Sequence, residues 1–208
     1  MYKPRGACAS LFFQAMRIKL KIQGVIDVIA DHSVSLLILT DEDEQRQMTI
    51  LIDEVMRHEI AIRRGKYVGT LQQRTNAINY LQYCLPETLS SAIKYLTNVE
   101  FCVVIVNIFD GQYSAILEDM RTGTAFPIRV SDGALFAYAD PHIPLYIEKT
   151  LWDAQSTKYL GDNPKGVSLP LNTLSVSMLK HAMQQCIDEE KYEAAQQIKE
   201  ELERRGIS

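Results

Sequence analysis

The feature that most constrains this chain is its tail, Leu179 to Leu202, which reads LKHAMQQCIDEEKYEAAQQIKEEL. Leu174, Met178, Ala182 and Cys186 recur at four-residue steps, and Tyr192, Ala195, Ile198 and Leu202 recur at three and four, so each half carries one apolar stripe at the helical period. Asp188, Glu189 and Glu190 interrupt both stripes and stand where acidic side chains favour the N-terminus of a following helix. The pattern predicts a helical hairpin folded at an acidic turn. Two helices this short bury too little apolar surface to overcome chain entropy alone, so the hairpin is expected to dock on a partner or on a second copy.

The rest of the chain is long enough for one cored domain, since 208 residues with 47% hydrophobic and 23% charged content are ordinary for a soluble globular protein. Net charge is −4, and residues 188–205 hold seven acids against four bases, so most of the excess lies in the tail. That balance excludes a strongly basic nucleic-acid binder, and any phosphate surface must come from local clustering. Cys8, Cys84, Cys102 and Cys186 lie far apart with no zinc-like spacing, which reads as reduced thiols in a cytoplasmic chain. No apolar run approaches the roughly eighteen residues that span a bilayer, so no membrane partner is expected. Residues 1–16 read as an N-terminal extension, whose Ala7–Phe13 run is short for an export-signal core.

From Arg17 to Ile22 the sequence alternates strictly, with Ile18, Leu20 and Ile22 on one face and Arg17, Lys19 and Lys21 on the other, the period of a half-buried strand. Further strands are expected at Val25–Ala30, Ser33–Thr40, Arg46–Ile52, Phe101–Phe109, Tyr113–Leu117, Thr124–Val130 and Leu145–Ile147. A helix opening at Asp53-Glu54 is expected to end at Gly65, another to follow Pro86-Glu87, and a short one, capped by Ser131 or Asp132, to reach Ala139. Ala77, Ile78, Leu81 and Leu85 have helical spacing within a stretch, residues 66–85, that otherwise reads as a loop followed by a helix. Strands grouped in hairpins with helices between them predict an α+β fold, a mostly antiparallel sheet with packed helices followed by the C-terminal α-helical hairpin. The expected organisation is a body over 17–153, a Gly/Pro-rich linker over 154–173 and the hairpin over 174–208.

Two resemblances add to this reading. The spacing of Met183, Ile187, Tyr192-Glu193, Ala194-Ala195, Ile198 and Lys199-Glu200-Glu201-Leu202 resembles the UVR motif, a protein-docking hairpin. The resemblance implies a partner surface at Met183, Ile187, Tyr192, Ala195, Ile198 and Leu202. Lys199 and Glu200 stand where that motif usually has Arg and Asp. The order of elements from Arg17 to Trp152, with Phe126-Pro127-Ile128-Arg129-Val130-Ser131-Asp132-Gly133-Ala134 and Ile143-Pro144-Leu145-Tyr146-Ile147, resembles the bifunctional nuclease family. That implies an oligomeric α+β domain cleaving RNA or DNA, in a family whose members carry a C-terminal UVR motif. Departures are plain: Met56 stands where the family has an acid, and Leu85-Pro86-Glu87-Thr88-Leu89 lacks the family's His-Asp pair.

The candidate residues follow. Arg129, Ser131 and Asp132, on a strand-to-helix turn, can hold a phosphate and orient a water or a divalent metal such as Mg or Mn; equally, they can cap a helix and form an ion pair. Glu54 and His58, one helical turn apart, can meet as base and orienter, or stand exposed as an ordinary surface pair. Arg17, Lys19 and Lys21, with Arg63, Arg64, Lys66, Arg74 and Tyr67, can form a sequence-blind phosphate surface with one stacking ring, or a solvated exterior. Glu118 and Asp119 are adjacent in a strand and so point to opposite faces. His32, His142 and His181 are isolated. Two functions remain open: a nuclease of low sequence specificity, and a catalytically degenerate adaptor that docks a protein through its hairpin.

Overall fold

The computed structural model describes residues 16–27, 35–68, 70–109, 111–159, 161, 171, 174–188 and 190–207, with the side chains of 27 and 66–68 outside that description. The N-terminal extension, residues 28–34 and most of the expected linker lie outside the described residues. The chain divides into two compact units, Met1–Asn107 with Ser114–Tyr159, and Ile108–Tyr113 with Leu160–Ser208.

The first unit is built on an eight-stranded sheet. Its strands are β1 (Arg17–Asp27), β2 (Ser35–Asp41), β3 (Arg46–Ile52), β4 (Phe101–Phe109), β5 (Gln112–Asp119), β6 (Ala125–Arg129), β7 (Leu145–Glu148) and β8 (Thr157–Lys158), in the order β6-β5-β4-β7-β1-β2-β3-β8. All recorded pairings are antiparallel except β4 with β7, so the fold is α+β with a mixed, mostly antiparallel sheet. The two expected strands at Arg17–Ile22 and Val25–Ala30 are one strand, β1, with an irregularity between Ile22 and Gly24 where its register against β2 shifts. Ser35 to Thr40 of β2 and Cys102 to Ile105 of β4 are buried without alternation, so both faces of the sheet's centre are covered.

The helices of this unit are α1 (Glu54–Val68), α2 (Leu71–Leu81), α3 (Leu85–Leu96), α4 (Val130–Ala139) and α5 (Lys149–Gln155). α1 runs past Gly65 rather than stopping there, because a glycine ends a helix by taking a left-handed φ and Gly65 does not. The stretch expected as a loop is mostly helical: Thr70 caps α2 in a reciprocal box with Gln73, its hydroxyl accepting from the Gln73 backbone N–H. Residues 154–158, expected in the linker, belong to the sheet body, since Gln155 and Ser156 are buried and β8 pairs with β3. α4 packs tightly on the sheet at Gly133, where an added Cβ would lie 2.7 Å from Val103 Cγ1.

In the second unit α6 (Val176–Asp188) and α7 (Tyr192–Arg204) pack on one another as a hairpin, with Glu190 at φ 60° in the reversal between them. Leu174, Leu179, Ala195, Ile198 and Leu202 are buried. Arg205 fastens the end of α7 to the start of the hairpin, donating to the carbonyls of Leu174 at 2.7 Å and Leu171 at 3.1 Å.

Candidate functional site

Arg129 and Asp132 meet at the junction of β6 and α4. The Arg129 guanidinium donates from Nε to Asp132 Oδ2 at 2.7 Å and from Nη2 to Oδ1 at 3.1 Å, a two-pronged pair on the surface. Arg129 is raised by these hydrogen bonds and the Asp132 charge, with a smaller contribution from Asp53 at the mouth of α1. Arg129 itself is the N-cap of α4, without a side-chain cap bond, so Ser131 and Asp132 lie in the first turn rather than capping it. Asp53, not Glu54, caps α1, accepting from the Met56 N–H at 2.8 Å. Met56, which stands where the resembled family has an acid, is buried apolar core.

Glu54 and His58 are both exposed on α1. The bonded carboxylate of that helix is Glu59. It accepts from Arg63 Nη1 at 2.7 Å and from the Tyr80 hydroxyl at 2.9 Å, while Arg63 Nη2 reaches Glu87 of α3 at 2.7 Å. Burial raises the Glu59 carboxyl, but the bonds from Arg63 and Tyr80 outweigh it and hold it below the usual carboxylate range. Tyr80 is pushed up to about 12 by its bond to that carboxylate. Arg63 is only 1% exposed, so it ties α1 to α3 and presents no cation to a phosphate, contrary to its expected place on a basic surface.

Arg17 is likewise internal. It donates to both oxygens of Glu118 at 3.0 Å and lies 3.5 Å from Glu148, across from the neighbouring strand, rather than standing on a solvated basic face. Lys19 pairs with Glu42 at 3.0 Å, and Lys21 donates to the Glu42 carbonyl at 2.6 Å and lies 3.4 Å from Glu44, in the acidic β2–β3 turn. Arg64 is exposed, its guanidinium lying over Gly24 of β1. The side chains of Lys66 and Tyr67 lie outside the described residues. Asp119 turns away from Glu118, as strand geometry requires, and closes its own turn by accepting from the Thr122 hydroxyl at 2.7 Å and the Arg121 N–H at 2.9 Å.

A cluster that linear spacing does not reveal gathers on Asp140. This carboxylate accepts from the Ser90 hydroxyl of α3, from Lys94 at 2.8 Å and from the His142 N–H at 3.0 Å, with His142 Nδ1 also 3.0 Å away. Burial pushes Asp140 up, and the bonds from Lys94, Ser90 and His142 overcome it and hold it far below the usual carboxylate range. The cluster borders a pocket of about 410 Å³ walled by Ile93, Phe101, Met120 and Ile143. In a hydroxyl nucleophile relay an imidazole stands between serine and carboxylate; here the carboxylate stands between serine and imidazole, so the group next to Ser90 is a weakly basic carboxylate and not an imidazole. The group fastens α3 to the α4–β7 connection.

On the hairpin, Ala195, Ile198 and Leu202 are buried and therefore not on a partner-facing surface, whereas Met183 is half-buried and Ile187 and Tyr192 are 42% and 66% exposed. Among the described residues no three His, Cys, Asp or Glu side chains gather as a metal would need, and no helix is long and apolar enough to cross a membrane. Cys84, Cys102 and Cys186 are free thiols. The chain matches no protein-family model and no curated relative.

Proposed function

We propose that this protein is a cytoplasmic docking adaptor: a bifunctional-nuclease-like body that does not hydrolyse phosphodiesters, joined to a UVR-like hairpin whose turn contacts protein. The observation that carries this reading is the mutual engagement of Arg129 and Asp132. A guanidinium engaged by its own neighbour through Nε and Nη2 has one side of its fork occupied and much of its charge offset, which weakens its hold on a transferring phosphate, and the carboxylate it holds is not a free base. The candidate residues also fail to converge, with Arg17 and Arg63 engaged by half-buried carboxylates and Glu54 and His58 exposed on α1.

One observation favours the nuclease reading. The helices α1 and α4 pack on one another, and Asp53, the N-cap of α1, lies near enough to Arg129, the N-cap of α4, to act on its charge, so two helix N-termini that favour an anion are close together. The two readings separate on incubating the full chain with fluorescent single-stranded RNA and DNA, in magnesium, manganese or chelator, beside Asp132→Ala. The adaptor reading expects no cleavage above buffer in any arm. Metal-dependent cleavage abolished by the substitution overturns it.

A further inference from the structure

The helix α3 turns its apolar side to solvent. A surface helix ordinarily lays its apolar stripe on the core and shows water its polar side. In α3 the one buried residue is Ser90, and the side toward the body is fastened by polar groups: Glu87 accepts from Arg63 of α1, while Ser90 and Lys94 donate to Asp140. The apolar side chains point the other way. Leu85 is 75% exposed, Leu89 41%, Tyr95 89% and Leu96 74%, and Ala92 lies among them half-buried. At the helical period these five fall within an arc of about 120°, as wide as the stripe that a helix normally buries. Pro86 and Ile93, both half-buried, mark its border with the body.

The chemistry of this stripe says what covers it. It carries no charge, because Glu87 and Lys94, the two charged residues of α3, are both engaged by the body. A nucleic acid finds no free cation there, and a helix lying on a membrane surface needs basic side chains along its flanks. An uncharged apolar helix face fits another of its kind, and this stripe is complementary to itself. Leu85 and Leu96 stand at its two ends, and four residues in from each end stand Leu89 and Ala92. Two copies laid antiparallel therefore place Leu85 of one on Leu96 of the other at both ends. At the centre each Leu89 meets an Ala92, a large side chain against a small one, and the two helix dipoles oppose one another favourably. With Tyr83 just ahead of the helix, the exposed side chains offer on the order of 600 Å², most of the roughly 800 Å² that each partner gives to a standard interface.

We infer that α3 of one copy packs antiparallel on α3 of a second copy, closing a dimer with two-fold symmetry. The inference goes beyond the adaptor reading and does not depend on it, since docking through the hairpin turn uses other residues.

The test uses the full chain, with mass read by light scattering across a concentration series and circular dichroism confirming that each variant, altered only at exposed positions, is folded. The wild type is expected to be a dimer. Leu85→Lys and Leu96→Glu each bury two unpaired charges at the interface, and each is expected to weaken the dissociation constant about tenfold or more. Leu85→Lys/Leu96→Glu in one chain is expected to recover most of that loss, because the antiparallel register sets opposite charges together at both ends. A parallel pair would set like charges together and recover nothing. A monomeric wild type, a dimer indifferent to either single substitution, or a double variant no tighter than the single ones overturns the inference. A monomeric wild type that dimerises once residues 1–15 are removed would assign the face to the chain's own N-terminal segment and overturn it as well. Cleavage in the assay above removes the adaptor reading without moving any of these masses.

Discussion

Arg63 of α1 and Glu87 of α3, 24 residues apart in the chain, meet at 2.7 Å in a site where the arginine is only 1% exposed. With Glu59 and Tyr80 they bind three helices into one layer. A buried charge of this kind is costly to strand, so Arg63→Met, which leaves two facing carboxylates, is expected to destabilise the fold by about 3–5 kcal/mol. Urea unfolding measures it. Adding Glu59→Gln and Glu87→Leu to that variant is expected to recover much of the loss, because the desolvation cost is removed together with the attraction.

Acid should weaken the fold through Asp140 and Glu59. Both carboxyls titrate lower in the folded chain than in the unfolded one, so their contribution is fully present at neutral pH. As pH falls below about 5 the unfolded chain takes up protons first, and the contribution is lost on the way to the depressed folded values. Urea midpoints at neutral and acidic pH should fall further for the wild type than for Asp140→Asn. Equal slopes would show that the Ser90, Lys94 and His142 bonds do not favour the charged form.

Gly133→Ala is expected to destabilise. Alanine gains up to about 1 kcal/mol of helix propensity over glycine, but the new methyl would meet Val103 at 2.7 Å, and Val103 is fully buried in the middle of β4. Overpacking of this sort costs about 1–3 kcal/mol and wins. A second substitution, Val103→Ala, should give part of it back, as a double-mutant cycle would show.

The α+β class and the hairpin are legible in the sequence because they rest on periodicity, which is local. The alternation at Ile18, Leu20 and Ile22 marks β1, and the stripe at Ala195, Ile198 and Leu202 marks α7. The boundary at Val68 is missed because Gly65 looks like a stop, and only its φ decides. α2 is legible in part, since Thr70 and Gln73 spell a capping box three residues apart. The candidate site reads least well. Alternation puts Arg17 on a polar face, yet Glu118, 101 residues away, turns that position into an internal ion pair. Partner choice for Arg63, Asp140 and Ser90 likewise depends on contacts spanning 24 to 50 residues, which no local pattern encodes.

Arg17, Arg63 and Arg129 of this chain are already held by its own carboxylates, and oligonucleotide binding against salt tests this most directly. Duplex DNA binding followed by fluorescence anisotropy should be weak for the wild type, with log affinity nearly flat against log salt. Asp132→Asn frees Arg129 and is expected to steepen that slope by about 0.9, the release expected for one neutralised phosphate. Tight wild-type binding with a slope of several phosphates, unchanged by Asp132→Asn, would contradict it.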